Sequence, residues 1–191
     1  MPAYPDDPAS SLTERLNVEN DGYADHTLTT TMHVGTHIDA PEHMIAGGKM
    51  MHEYPAESFV GRGVVVDVRG KNEIRADCLP KDLAAQDIVL FYTGWSKYFG
   101  TPEYYEWYPE ITIECAARLV RVGVSMVGLD SPGPDHAPFP VHKLLLGNDI
   151  LIIENLRNLD AVVGASGMEI MAFPLRIMAD ASPARVIARA T

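Results

Sequence analysis

His33-Val34-Gly35-Thr36-His37-Ile38-Asp39-Ala40-Pro41-Glu42-His43 brings three imidazoles and a carboxylate into eleven residues. Gly35 is a poor helix former, and Pro41 removes a backbone donor and clashes with the preceding turn, so a helix is disfavoured. In an extended segment, residues two apart point to the same side. The three His and the Asp all occupy odd positions. We therefore predict a roughly extended segment that directs these four groups to one side.

The residue types in this segment suit a metal ion. Neutral imidazole combined with carboxylate is a ligand set for Zn, Mn or Fe. The alternative is a surface loop that happens to be rich in His. Because three of the seven His of the chain lie in this segment, the metal interpretation is the stronger one.

Composition predicts one domain over residues 1–191. The chain is 47% hydrophobic and 21% charged, enough for a sizeable core. Residues 1–24 are polar and Pro-rich, and we expect them to form an irregular N-terminal arm. A net charge of −11 argues against binding to nucleic acid or to an anionic membrane. The same charge could help to attract a divalent cation, or could simply maintain solubility.

Cysteine usage and the N-terminal residues predict a cytoplasmic protein. Cys78 and Cys115 have no disulfide-framework or metal-ligand spacing, so we expect free thiols in a reducing compartment. The first residues lack the basic and apolar regions of a signal peptide. No apolar run approaches the roughly 18 residues of a membrane span.

Hydrophobic patterns predict a mixed α/β chain with strong β content. The best helix candidate is 112–122, where Ile113, Ala116, Ala117 and Val120 form a stripe and Gly123 can end the helix. A single helical turn is expected over 142–146. Alternating or β-branched runs predict strands at 25–33, 63–68, 87–93, 124–129, 150–154 and 185–189.

The second half of the chain offers two more candidate ligands. Glu154 ends the apolar run 150–153, and a buried carboxylate is unfavourable unless it is paired, hydrogen-bonded or bound to metal. His142 precedes a run of leucines. Either residue alone could have a plain structural role, with Glu154 at a solvated strand end and His142 lining the core. The first cluster needs further ligands, which favours a role for both.

These motifs together resemble the metal-dependent cyclase superfamily, which includes bacterial kynurenine formamidases and isatin hydrolases. The signature at 33–43 is followed about a hundred residues later by His142-Lys143-Leu144-Leu145 and Glu154-Asn155-Leu156. Tyr4-Pro5-Asp6-Asp7-Pro8 is similar to the N-terminal segment of the family, and Gly128-Leu129-Asp130-Ser131 to its Gly-x-Asp-x-x-Ser stretch. The match covers nearly the whole chain.

The resemblance implies a fold and a metal centre. The fold would be a swivelling β/β/α fold, in which helices flank a twisted, barrel-like mixed sheet. His33, His37 and Asp39 would bind a first divalent ion. Asp39 would bridge to a second ion held by His142 and Glu154. The cofactor would be Zn or Mn, with one or two ions per subunit.

The resemblance also implies an activity. His43 would be the general acid/base of a hydrolase that cleaves an amide, formamide or lactam C–N bond of a small molecule. Tyr4, where kynurenine formamidases carry Trp, would contact the substrate. Open alternatives are hydrolysis of another carbonyl substrate such as a lactone, or a non-catalytic metal-binding paralogue. Relatives form homodimers or homotetramers, often with the N-terminal arm near the neighbouring site.

Overall fold

Seven strands close into a barrel in the computed structural model, which describes residues 2–190. The strands of the chain are β1 Ser11–Leu16, β2 Asp25–Thr29, β3 His37–Asp39, β4 Val60–Asp67, β5 Glu73–Ile74, β6 Ile88–Tyr92, β7 Glu110–Ile111, β8 Met126–Leu129, β9 Leu151–Glu154, β10 Met168–Pro174 and β11 Ala181–Ala190. The helices are α1 Val18–Asp21, α2 Glu103–Glu106, α3 Ile113–Val122 and α4 Pro140–Leu146.

The barrel is a mixed sheet, which confirms the predicted α/β class. Its order is β10-β11-β3-β9-β8-β6-β4, and β4 closes the barrel by pairing with β10. The run β4-β6-β8-β9 is parallel, whereas β3, β10 and β11 pair antiparallel with their neighbours. The strands β6, β8 and β9 are nearly continuous buried apolar runs, as expected for parallel strands covered on both faces.

Alternate residues of these strands enter two apolar clusters. In β6, Ile88 and Leu90 belong to a cluster built largely from barrel strands. Val89 and Phe91 belong to a second cluster, which includes residues of α3 and α4. The helix α3 begins where the Thr112 side chain accepts a hydrogen bond from the Cys115 backbone, and it ends at Gly123 with φ 79°. Helices α3 and α4 therefore cover the outer side of the barrel.

The N-terminal segment is more ordered than the sequence predicted. Residues 1–24 were expected to be irregular, but β1 pairs antiparallel with β2. The connection is α1, which Asn17 caps at its start and which Gly22 ends with φ 80°. Local capping and cross-strand pairing thus build a hairpin from a polar sequence. The strand predicted over 25–33 accordingly ends at Thr29.

Three other expectations need correction. The segment 33–43 is extended only over His37–Asp39, because Gly35 adopts φ 66° and Pro41 begins a short 3-10 turn, Pro41–His43. The last strand is longer than the predicted 185–189, because it pairs along its length with β10 and β3. The strand β10 itself was not predicted. Among the helices within residues 2–190, none has the length and apolar character needed to cross a membrane.

Candidate metal centre

Strand register brings three of the candidate ligands, His37, Asp39 and Glu154, onto one face. In the β3–β9 pair, His37 lies directly opposite Glu154. Asp39 is two residues further along β3 and therefore shares the face of His37. Ile38 points the other way and is completely buried in the barrel cluster. The sheet thus gathers two carboxylates and an imidazole on the outer side of the barrel.

The distances within this group are those of ligands that share an ion. Nδ1 of His33 lies 3.0 Å from Oδ1 of Asp39, and Nε2 of His37 lies 3.4 Å from the same oxygen. Two atoms that are each about 2.1 Å from one metal lie about 3.0–3.4 Å apart at angles between 90° and tetrahedral. One atom from each of these residues can therefore meet at a single ion.

Helix α4 contributes the second half of the site. Nε2 of His142 lies 3.1 Å from Oε1 of Glu154, whose other oxygen is 3.3 Å from Nε2 of His37. Glu154 therefore links the His142 side of the site to the β3 side. The buried members of the group are each at most 6% exposed: His37, Asp39, His142 and Glu154.

Unsatisfied polar atoms show that a cation fits this group. Within the described part of the chain, Nε2 of His37 and both carboxylate oxygens of Asp39 are buried and have no hydrogen-bond partner. Buried polar groups are normally satisfied, and a buried carboxylate without a hydrogen bond is especially unfavourable. A divalent ion coordinated by these atoms would satisfy them, and imidazole with carboxylate is a suitable donor set.

Hydrogen bonds on the far side of two imidazoles fix their orientation. Nδ1 of His37 donates to the carbonyl of Gly35 at 2.8 Å. Nδ1 of His142 donates to Oδ1 of Asp135 at 2.5 Å, and the other oxygen of Asp135 accepts from the Val141 backbone. Such contacts leave Nε2 free to bind a metal. Sequence analysis assigned Asp135 no role, since no local motif marks it.

Asp180 is a second carboxylate that the sequence analysis missed. Its Oδ2 lies 2.9 Å from Nε2 of His33 and 3.3 Å from Nδ1 of His43. The His33 and His43 rings are themselves 4.2 Å apart. Asp180 directly precedes β11, whose pairing with β3 places Ala181 opposite Asp39. One oxygen therefore orients a candidate ligand and the candidate acid/base together.

The imidazoles differ in their pKa. Burial lowers the pKa of His33, but Asp180 and Asp39 outweigh it and raise this pKa to about 9. For His142, burial is likewise outweighed by Asp135 and Glu154, and the pKa rises to about 10. The pKa of His43 is lowered, chiefly by burial. A metal ion must consequently compete with protons for His33 and His142.

The site opens into a cavity of about 250 Å³. The three imidazoles of the signature, together with His142 and Glu154, line one end. Tyr4 also lines it and packs edge-on against Tyr105, with ring centroids 5.4 Å apart. The structure therefore places every site residue suggested by the sequence on or beside this cavity: Tyr4, His33, His37, Asp39, His43, His142 and Glu154.

Comparison with known proteins gives consistent matches. A family model described as putative cyclase matches residues 1–136. An uncharacterised protein of Methanocaldococcus jannaschii is 36% identical, with 97% of this chain and 91% of the relative covered. The kynurenine formamidase of Salinibacter ruber is 32% identical, with 93% and 85% covered. The structure of isatin hydrolase A from Labrenzia aggregata, bound to benzyl benzoate, has a TM-score of 0.86 at 27% identity, with 100% and 88% covered.

Proposed function

Because this chain belongs to the cyclase family, we propose that it is a metal-dependent hydrolase that cleaves an amide, formamide or lactam C–N bond. The single observation that carries the proposal is the group of unsatisfied buried atoms on His37 and Asp39, at the end of a cavity that His37 and His43 line. Relatives named as a kynurenine formamidase and an isatin hydrolase support the C–N bond as the target.

In this proposal, His33, His37 and Asp39 would hold one divalent ion, Zn or Mn. Glu154 and His142 would hold a second ion where two are bound, and Asp39 would contribute to both. An ion in this position would supply Lewis-acid chemistry, since it polarises a carbonyl oxygen and lowers the pKa of water. The distances of 3.0–3.4 Å between the donor atoms support this assignment.

His43 is the proposed general acid/base. It accepts a proton from the attacking water as the water oxygen bonds to the carbonyl carbon. It then returns that proton to the leaving nitrogen as the C–N bond breaks, so the products are a carboxylic acid and an amine. Asp180, 3.3 Å from Nδ1 of His43, holds the ring so that its other nitrogen can face the cavity. A positioned group of this kind contributes about 10²–10⁴-fold in rate.

Metal analysis and turnover test the proposal together. We expect bound metal, and chelator-sensitive hydrolysis of N-formylkynurenine, isatin or an aryl formamide. The His43→Ala variant should lose about 10²–10⁴-fold in kcat and keep its metal, whereas Asp39→Ala should lose both. Full activity in His43→Ala would contradict the assigned role. Bound metal without turnover of any amide, lactam or lactone would indicate a non-catalytic metal-binding protein.

We also propose a homodimer or homotetramer assembled through the β1–β2 hairpin. Leu12 and Leu28 are cross-strand partners in this hairpin, and they are 69% and 64% exposed. A paired apolar surface of this kind is stabilised when a second copy covers it. Light scattering should give a mass of two or four chains, and Leu12→Glu should lower it. A monomeric wild-type protein would contradict this assembly.

A further inference from the structure

Outside the candidate metal centre, the charge of the cavity lining is one-sided. Among the described residues that line the cavity, the ionisable groups other than tyrosine are four imidazoles and the carboxylates of Asp7 and Glu154. Within residues 2–190, no Lys or Arg side chain belongs to this lining. Glu154 is committed to the candidate metal centre, so Asp7 is the charged group left to meet the body of a substrate.

Aromatic rings make up much of the remaining wall. They belong to Tyr4, Phe99, Tyr105, Tyr108 and Phe139. A volume of about 250 Å³ is close to the lower end of small-molecule pockets, which begin at about 300 Å³. It therefore suits a compound of one or two rings, whose faces can pack against these side chains.

The position of Asp7 is set by the backbone. Its amide donates to the carbonyl of Tyr4 at 3.0 Å, and this turn places both side chains on the cavity. The side chain of Asp7 is exposed, at the rim. The guanidinium of Arg157 lies 5.5 Å from the centre of the Phe99 ring, but Arg157 is exposed and is not part of the lining.

We propose that, if the site hydrolyses amides as described above, its substrates are aromatic amides or lactams whose body is neutral or carries a pendant amine. A pendant carboxylate held away from the metal centre would meet the like charge of Asp7 and no Lys or Arg of the lining, which is unfavourable. A pendant ammonium group would instead gain Asp7 as a partner, with the modest strength of an exposed ion pair. Charge at the cavity rim therefore selects the substrate.

Four para-substituted formanilides test the proposal, because they share one scissile bond and one ring. The first pair is 4-formamidobenzoate and its methyl ester, and the second is 4-(aminomethyl)formanilide and 4-(hydroxymethyl)formanilide. For each compound, kcat/KM is divided by the rate constant for its hydrolysis by hydroxide, which removes differences in intrinsic reactivity. We expect this ratio to be about tenfold or more lower for the acid than for the ester. The amine should exceed the alcohol by about two- to fivefold.

Matched variants assign the effect to Asp7. In Asp7→Asn the amine-to-alcohol ratio should fall to about one, whereas Asp6→Asn, an exposed neighbour outside the lining, should keep the wild-type ratio. Equal kcat/KM for the acid and the ester would overturn the proposal. A preference for the acid that is lost in Arg157→Gln would also overturn it, and would identify Arg157 as a carboxylate-binding residue.

A binding measurement separates this inference from the proposed function. If metal-loaded protein hydrolyses none of the four compounds, the proposed function fails for aryl formamides. Titration calorimetry of the amine and the alcohol with the same protein then decides the inference. Tighter binding of the amine, lost in Asp7→Asn, supports it, and equal affinities overturn it.

Discussion

Gly133→Ala should weaken metal binding without unfolding the protein. A Cβ at Gly133 would lie 3.0 Å from Oε1 of Glu154 and 3.3 Å from Cε1 of His142. Optimal heavy-atom contacts are about 3.5–4.0 Å, so the carboxylate must move by about 0.5 Å and the imidazole by about 0.2 Å. The φ of Gly133 is outside the positive region, so alanine fits the backbone.

The displacement sets the size of the effect. Metal-ligand distances vary by only about 0.2 Å, so moving Glu154 by about 0.5 Å takes it out of range. We expect the dissociation constant for Zn or Mn to rise by about 10–100-fold, the range seen when groups that orient ligands are changed. Titration calorimetry on chelator-treated protein measures this, and the Tm of the same metal-free protein should change little.

Gly128→Ala is the matched control, because its added Cβ would contact side chains of the hydrophobic core and none of the candidate metal ligands. It would lie 2.6 Å from Cδ2 of Leu90 and 2.8 Å from Cδ1 of Leu156. Overpacking of this kind costs about 1–3 kcal/mol, which lowers Tm by about 2–12 °C in a chain of this size. Its metal affinity should remain that of the wild type. Wild-type affinity in Gly133→Ala would refute the placement of Glu154 and His142 at the ion.

Three further predictions concern the orienting carboxylate, the thiols and an ion pair between a buried Asp and a half-exposed Arg. Asp180→Asn removes a charge shared by two site imidazoles, so kcat at saturating metal should fall about tenfold or more, and wild-type kcat would contradict its positioning role. Burial raises the pKa of Cys115 to about 12, so this thiol is protonated at pH 8 and should react with Ellman's reagent only after denaturation. The partly exposed Cys78 should react in the native protein. Equal reaction rates for the two thiols would contradict this prediction. Arg62→Gln leaves the buried Asp87 carboxylate without its ionic partner, so it should lower the free energy of unfolding in urea by about 1–3 kcal/mol. An unchanged urea concentration at the midpoint of unfolding would contradict this prediction.

Strands and helices that carry their own signal could be predicted from the sequence. β6, β8 and β9 are nearly continuous apolar runs, and α3 has an apolar stripe between a capping Thr112 and Gly123. In contrast, β10 has no β-branched run and ends in Pro174. It is a strand because β11 and β4 pair with it on either side, and such partners lie far away in the sequence.

The candidate ligands could be identified by type, but not the geometry that joins them. Strict alternation holds only for His37 and Asp39, within the three residues of β3. His33 reaches the site across the bend at Gly35, and His43 reaches it from the 3-10 turn. Glu154 joins them through the register of β3 against β9, which the sequence does not specify.

The orienting carboxylates explain why the signature alone does not define the site. Asp135 holds His142, and Asp180 holds His33 and His43, so three imidazoles depend on residues outside the eleven-residue segment. No local motif marks either carboxylate, because the tertiary fold, and not a sequence pattern, brings each one to its imidazole. A variant that keeps the whole signature but loses Asp135 and Asp180 would therefore keep the candidate ligands and lose their alignment, and its metal affinity should fall although every ligand is present.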